Sequence, residues 1–223
     1  MALGSLVSIA ASTFNRVMVV ELSLLQIIPG LLLALHYFIQ ISRPNWGFLS
    51  DKGGNRTFWI IIGVIILCLG SILACIGILL IPENYLFGLT ISIFAYILIG
   101  IGVGASGTSL LAFLATRTDN NKKAAAATIT WIMMIFGAAF TAIFVGKIID
   151  PYSIEKLLKI VTIISLFWII TSFITLYKLE STHKQKILDH FEPVTITFYQ
   201  GLKQVLLEQN TRWFTIFVFL SMT

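Results

Sequence analysis

Charge is scarce in this chain. Only 11% of its 223 residues are Asp, Glu, Lys or Arg, while 57% are hydrophobic; soluble domains carry roughly 25% charged residues. A water-facing globule of this size needs more polar surface than that, so a soluble core fold is excluded. The formal charge is +5, yet no basic stripe with interleaved aromatics occurs. The cations sit in short connections between apolar runs, which argues against a nucleic-acid partner. Cysteine is nearly absent. Cys68 and Cys75 lie about 10 Å apart along one apolar helix at 1.5 Å per residue, too far for a disulfide. There is no His/Cys/Glu metal cluster, no nucleophile with a positioned base and no phosphate-cradling glycine loop, so an enzyme is not expected and no metal site is assigned.

What the chain has in abundance is long apolar runs. A span needs ~20 residues to cross ~30 Å of hydrocarbon. Six such runs extend from Leu3 to Val20, Leu22 to Ser42, Phe58 to Ile81, Tyr85 to Thr116, Ala124 to Ile149 and Leu157 to Tyr177, and a seventh begins at Trp213. The first carries Asn15 and Arg16 and is followed by no cleavage-site pattern, so it reads as a packed helix and not as a signal peptide. The fourth is too long for one straight span and should tilt or project from the lipid. The expected fold class is an all-α integral membrane protein, with the lipid bilayer as its first partner.

Orientation follows from the cations. Arg43, Lys52, Arg56, Arg117, Lys122, Lys123, Lys178, Lys184, Lys186, Lys203 and Arg212 flank one set of connections, against Arg16, Lys147, Lys156 and Lys159 on the other side. The larger set belongs in the cytoplasm, which also places the amino terminus there. Pro82-Glu83-Asn84 and Asp150-Pro151-Tyr152-Ser153 are short breakers on the outer side. Between Lys178 and Arg212 runs one long polar connection. Phe198, Leu202, Val205 and Leu206 recur there at helical spacing opposite Gln200, Lys203, Gln204 and Glu208, as in a helix lying on a membrane surface. The domain reading is a six-helix bundle over 1–178, a connecting segment over 179–210 and the start of a seventh helix over 211–223.

The ten residues Gly47-Phe48-Leu49-Ser50-Asp51-Lys52-Gly53-Gly54-Asn55-Arg56, small and polar between two apolar runs, read as a cytoplasmic turn. The glycines permit a tight bend, and Asp51 can cap a neighbouring helix amino terminus. Their spacing resembles the loop signature of the major facilitator superfamily, carriers built from two six-helix halves. The resemblance implies the amino-terminal half of that fold, a carboxy-terminal half as partner, and a conformational role for Gly47, Asp51, Lys52, Gly54 and Arg56, with a merely solvated turn as the alternative.

A narrower resemblance follows from Asn15-Arg16-Val17-Met18-Val19-Val20-Glu21-Leu22, Gly30-Leu31, Ala34-Leu35-His36-Tyr37, Arg43, Gly47-Phe48 and Ser50-Asp51, continued by Leu111 to Thr116, Trp131 to Met134 and Leu176 to Glu180. These blocks resemble the PucC-type light-harvesting-complex assembly and bacteriochlorophyll-delivery family. The resemblance implies a non-enzymatic factor in a bacterial inner or photosynthetic membrane. Chlorophyll or bacteriochlorophyll would be its cargo, and light-harvesting apoproteins or chlorophyll-synthesis enzymes its partners. The alternative is a secondary transporter of a small solute by alternating access. The arginine that proton-coupled carriers place before a Gly-x-Gly in helix four is missing from Leu98 to Gly104.

His36 stands in an otherwise apolar run. Imidazole is a suitable axial ligand for a pigment magnesium because its neutral nitrogen has a free lone pair; the alternative is a histidine hydrogen-bonded inside the bundle. Asn15, Arg16, Glu21 and Arg43 are the polar or charged groups of the first two runs. On a continuous α-helix Arg16 and Glu21 point about 140° apart at 100° per residue, so they pair only across a helix break. They serve either as structural anchors or as a polar site.

Overall fold

The described apolar runs are helical over most of their length, because in lipid each backbone N–H and C=O has to be satisfied within its own segment. The computed structural model describes residues 1–52, 55–181, 198–209 and 211–213, with no strand among them. In chain order the helices are α1 (Ala2–Glu21), α2 (Ile27–Ile39), α3 (Arg43–Lys52), α4 (Arg56–Leu80), α5 (Tyr85–Arg117), α6 (Lys123–Ile148), α7 (Ile154–Ser181) and α8 (Phe198–Leu207). The chain is a multi-pass, all-α membrane protein. Among the described residues five helices are long and apolar enough to cross a bilayer: α1, α4, α5, α6 with its preceding turn, and α7.

The expected six uninterrupted spans therefore become five plus a segmented one. Leu22 to Gln26 are not helical, and α2 begins only at Ile27. Pro29 sits in its first turn, where a missing N–H leaves no hydrogen bond unmade. A 3-10 turn over Gln40–Ser42 then leads directly into α3.

The ten-residue turn expected over 47–56 is also corrected. Gly47 to Lys52 are helical, the closing turns of α3. Ser50 is buried and its hydroxyl donates to Gly47 O at 2.8 Å, and α3 leans along α5, so side contacts carry the helix past residues that favour a bend. The connection shrinks to residues 53–55. Gly54, the Lys184 segment of the long connection and the helix beyond Trp213 lie outside the described residues.

α1 is not a regular α-helix. Two stretches, Ile9–Thr13 and Val17–Glu21, are π-helical, with Leu22 N donating to Val17 O five residues back at 3.0 Å. Such widened turns are most often found at functional sites. The Tyr96 hydroxyl, fully buried on α5, donates to Ala10 O inside the first of them at 3.1 Å.

The most extensive helix pair is α4 with α5, and its cause is a seam of small residues at intervals of seven. Gly63, Gly70 and Gly77 on α4 face Gly88, Ala95 and Gly102 on α5, flanked by Ser92 and Ser106. A β-carbon at Gly102 would stand 2.5 Å from Leu67 N and 2.8 Å from Gly63 O, so the backbones touch directly. Close backbone approach of this kind is what drives helix association in lipid. The serine hydroxyls are satisfied within their own helix, Ser92 on Gly88 O and Ser106 on Gly102 O. α7 packs on the other side of α4, where Cys68 Sγ donates to Ser165 O at 3.4 Å.

α1 crosses α6 by the same device. The Ser5 and Thr141 hydroxyls meet at 2.7 Å, and Ser8 donates to Ala138 O at 3.1 Å. Short turns close the hairpins, with Asn84 Oδ1 capping α5 through Phe87 N and Ser153 Oγ accepting from Lys156 N. α5, at 33 residues, is about 50 Å long at 1.5 Å per residue and outreaches the hydrocarbon.

Candidate functional site

Between α1, α2, α5 and α6 lies a cavity of about 520 Å³, within the range of small-molecule sites. Its walls are apolar: Leu3 and Val7 from α1, Val103 and Leu110 from α5, Trp131 and Met134 from α6. One edge differs. There His36, Gln40 and Arg43 line the cavity from α2 and the turn into α3. They stand at i, i+4 and i+7, which on a helix brings them to one face.

These three side chains form a chain of hydrogen bonds. Arg43 Nη2 donates to Gln40 Oε1. That fixes the Gln40 amide so that its Nε2 is the donor toward His36 Nε2, 2.8 Å away. A nitrogen that accepts carries no proton, so the neutral imidazole holds its proton on Nδ1. Nδ1 is buried without a partner. With Nε2 engaged, His36 has no free lone pair for a metal in this arrangement; an axial bond to a pigment magnesium requires Gln40 to withdraw first. His36 is 1% exposed and its ring lies edge-on to Tyr37 at 4.9 Å.

Arg43 is half-buried and forms no ion pair among the described residues. Its Nε–H is buried and likewise lacks a partner. α3 comes close to α5 here because Gly104 leaves room for it: a β-carbon at Gly104 would meet the Trp46 indole at 3.4 Å and the Arg43 stem at 3.7 Å. At Gly100 the fit is tighter, with His36 O 2.8 Å from where a β-carbon would stand. Two α5 glycines thus let the polar edge approach the cavity.

Of the loop residues, Asp51 and Arg56 are brought together. Asp51 caps no helix; its Oδ1 accepts from Arg56 Nη2 at 2.7 Å and Nε at 3.1 Å. Arg56 Nη1 also donates to Ala112 O at 2.8 Å and to Thr116 Oγ1. One guanidinium therefore ties the end of α3 and the start of α4 to the last turns of α5. Gly47 faces Thr108, and Lys52 is exposed.

The first-run polar residues go elsewhere. Arg16 does not pair with Glu21. Its Nη2 donates to Asp150 Oδ1 at 2.8 Å, joining the end of α1 to the turn after α6. Asn15 and Glu21 are exposed. In the same turn burial raises the Tyr152 phenol above its ordinary pKa, and the Glu21 carboxylate adds to the effect.

Sequence reasoning missed Gln40, Asp150, Ala112 and Thr116. Gln40 had a signal, its i+4 and i−3 spacing to His36 and Arg43. Asp150 is 134 positions from Arg16 and had none.

The family model described as PUCC protein matches residues 13–223, which include His36, Gln40, Arg43, Asp51 and Arg56. The chain is 48% identical to the Bacteriochlorophyll synthase 44.5 kDa chain of Rhodobacter capsulatus over 225 residues, covering 100% of this chain and 51% of that protein. It is 24% identical over 198 residues to Protein PucC of Cereibacter sphaeroides, covering 82% of this chain and 42% of that one. Protein PucC of Rhodobacter capsulatus is 23% identical over 195 residues, with the same shares. The chain spans about half the length of these curated relatives. No solved structure matches it. With the family model extending over nearly its whole length, the chain belongs to the PucC protein family.

Proposed function

We propose that this protein binds a (bacterio)chlorophyll-type pigment in the cavity between α1, α2, α5 and α6 and hands it on for assembly of light-harvesting complexes, without itself catalysing a reaction. The observation that carries the reading is the cavity: about 520 Å³, apolar on most sides, with one polar edge of His36, Gln40 and Arg43. A large apolar ring system with a few polar substituents suits such walls. The name of one relative, Bacteriochlorophyll synthase 44.5 kDa chain, supports a link to this class of pigment. The three polar groups are hydrogen-bonded to one another, an array suited to holding and orienting a ligand.

In this reading the amino terminus and the Asp51–Arg56 clasp face the cytoplasm, a second six-helix half covers the cavity, and light-harvesting apoproteins or pigment-synthesis enzymes are the partners. The clasp would brace the bundle as the cavity opens and closes. The four-helix cavity also suits the second reading, alternating-access transport of a small solute.

Absorbance of the protein purified in detergent from pigment-producing cells tests the proposal. Chlorophyll-type bands should accompany the wild type and fall in His36→Leu, which deletes the acceptor that orients Gln40. Absence of pigment from the wild type favours the transporter; unchanged pigment in His36→Leu removes His36 from the site.

A further inference from the structure

Among the described residues the cation at the polar edge has no anion. Arg43 lines a cavity whose other walls are almost entirely hydrocarbon, and its hydrogen bond to Gln40 is between a cation and a neutral amide. Among the described residues no carboxylate pairs with it. The acid nearest in sequence, Asp51, is taken up by Arg56 through two bonds. Elsewhere the described arginines in and between the spans do find partners: Arg16 has Asp150, Arg56 has Asp51, and Arg117 lies 5.4 Å from the centroid of the Phe113 ring. A half-buried guanidinium with an unpaired buried Nε–H is costly to keep out of water unless an anion joins it.

The side chain is also held in place. Gln40 accepts from Nη2, His36 accepts from Gln40, and His36 is wedged behind them at 1% exposure. A fixed guanidinium at the rim of an apolar cavity is complementary to an amphiphile with one carboxylate on a large apolar body, and a planar carboxylate suits its donors best.

Resting on the pigment-handling reading, we infer that the cavity takes the pigment in its acid form, a tetrapyrrole with a free carboxylate seated on Arg43, in preference to the esterified, uncharged pigment. Arg43 is then the specificity-determining residue, and Gln40 and His36 are positioning residues that hold its guanidinium. The reaction that supplies the ligand is one that ends on the free acid. The reaction that consumes it is an esterification of that carboxylate, which removes the charge and with it the hold of Arg43.

The test uses the protein in nanodiscs of neutral phosphatidylcholine, titrated with chlorophyllide and with chlorophyllide methyl ester, which has the same ring and no charge. Pigment fluorescence reports binding. Wild type should prefer the acid by about thirtyfold or more, the loss typical of removing one partner from a buried charge pair. Arg43→Gln should collapse that preference and Arg43→Lys should retain part of it. Equal affinity of the wild type for acid and ester, or an acid preference that survives Arg43→Gln, overturns the inference and leaves the pigment reading standing. Failure of both probes to bind overturns both. A third arm measures phosphatidylglycerol co-purified from native membranes. If this lipid is lost with Arg43→Gln while the wild type does not discriminate acid from ester, the cation belongs to a lipid and the inference is wrong.

Discussion

Gly102→Ala should be a strongly damaging single-methyl addition at the α4–α5 interface. The new β-carbon would stand 2.5 Å from Leu67 N and 2.8 Å from Gly63 O. Ordinary carbon contacts begin near 3.5 Å, so α4 and α5 must part by roughly 1 Å where Gly102 meets Gly63 and Leu67. Both obstacles are backbone atoms of a helix, which cannot swing aside as a side chain does. Overpacking of this kind costs typically 1 to 3 kcal/mol, and the rigid neighbours place this case near ~3. Alanine recovers about 1 kcal/mol of helix propensity over glycine, leaving a net loss of ~2 kcal/mol.

Gly146→Ala supplies the control. It lies in α6 and has nothing within 4 Å of its would-be β-carbon, so it gains the propensity alone. The propensity terms cancel between the two variants, which should differ by ~3 kcal/mol. Thermal unfolding in detergent, followed by fluorescence of a thiol-reactive dye at the buried Cys68 and Cys75, should show Gly102→Ala melting several degrees below wild type and Gly146→Ala at or above it. Equal melting of the two variants would refute the claim that direct backbone contact sets the α4–α5 spacing.

Two further outcomes follow from the charged groups. Arg56→Ala removes bonds to Asp51, Ala112 and Thr116 at once, whereas Asp51→Asn leaves Arg56 its contacts on α5; the first should cost about 2 kcal/mol in thermal stability and the second under about 1. Equal losses would mean the ion pair alone matters. The cation asymmetry predicts that single cysteines at Lys52 and Lys122 resist an impermeant thiol reagent on intact cells while one at Glu83 is labelled, in a background lacking Cys68 and Cys75. The reverse pattern would invert the proposed orientation.

Much of the fold was legible in the chain because lipid imposes a simple condition, apolar runs long enough to cross it. The long apolar helices, the short turns at Pro82 and Pro151 and the overlong α5 all follow from length and composition, whereas the break of the second run at Leu22 to Gln26 does not. The packing partners of the glycines were not legible. Gly100, Gly102, Gly104 and Gly107 look like one packing stripe, yet they face four different places: α2, α4, α3 and Leu3 of α1. At 100° per residue Gly100, Gly104 and Gly107 share one face and meet three different elements at successive heights along it, while Gly102 turns to the opposite side, toward α4.

The sequence by itself determined that the protein lies in a membrane, that its apolar runs are helical spans joined by short breakers, and that His36 and Arg43 are isolated polar groups in or beside an apolar run. Those properties depend on local composition and on helical period, which any segment carries with it. Only the tertiary structure decided that Asp51 is claimed by Arg56 and not by a helix end, that Arg16 reaches Asp150, and that Arg43 stands at the rim of an apolar cavity with no acid paired to it among the described residues. Which charges meet depends on which helices cross and at what depth, and that is set by the backbone contacts of α4 with α5 and of α1 with α6, made between residues far apart in the chain.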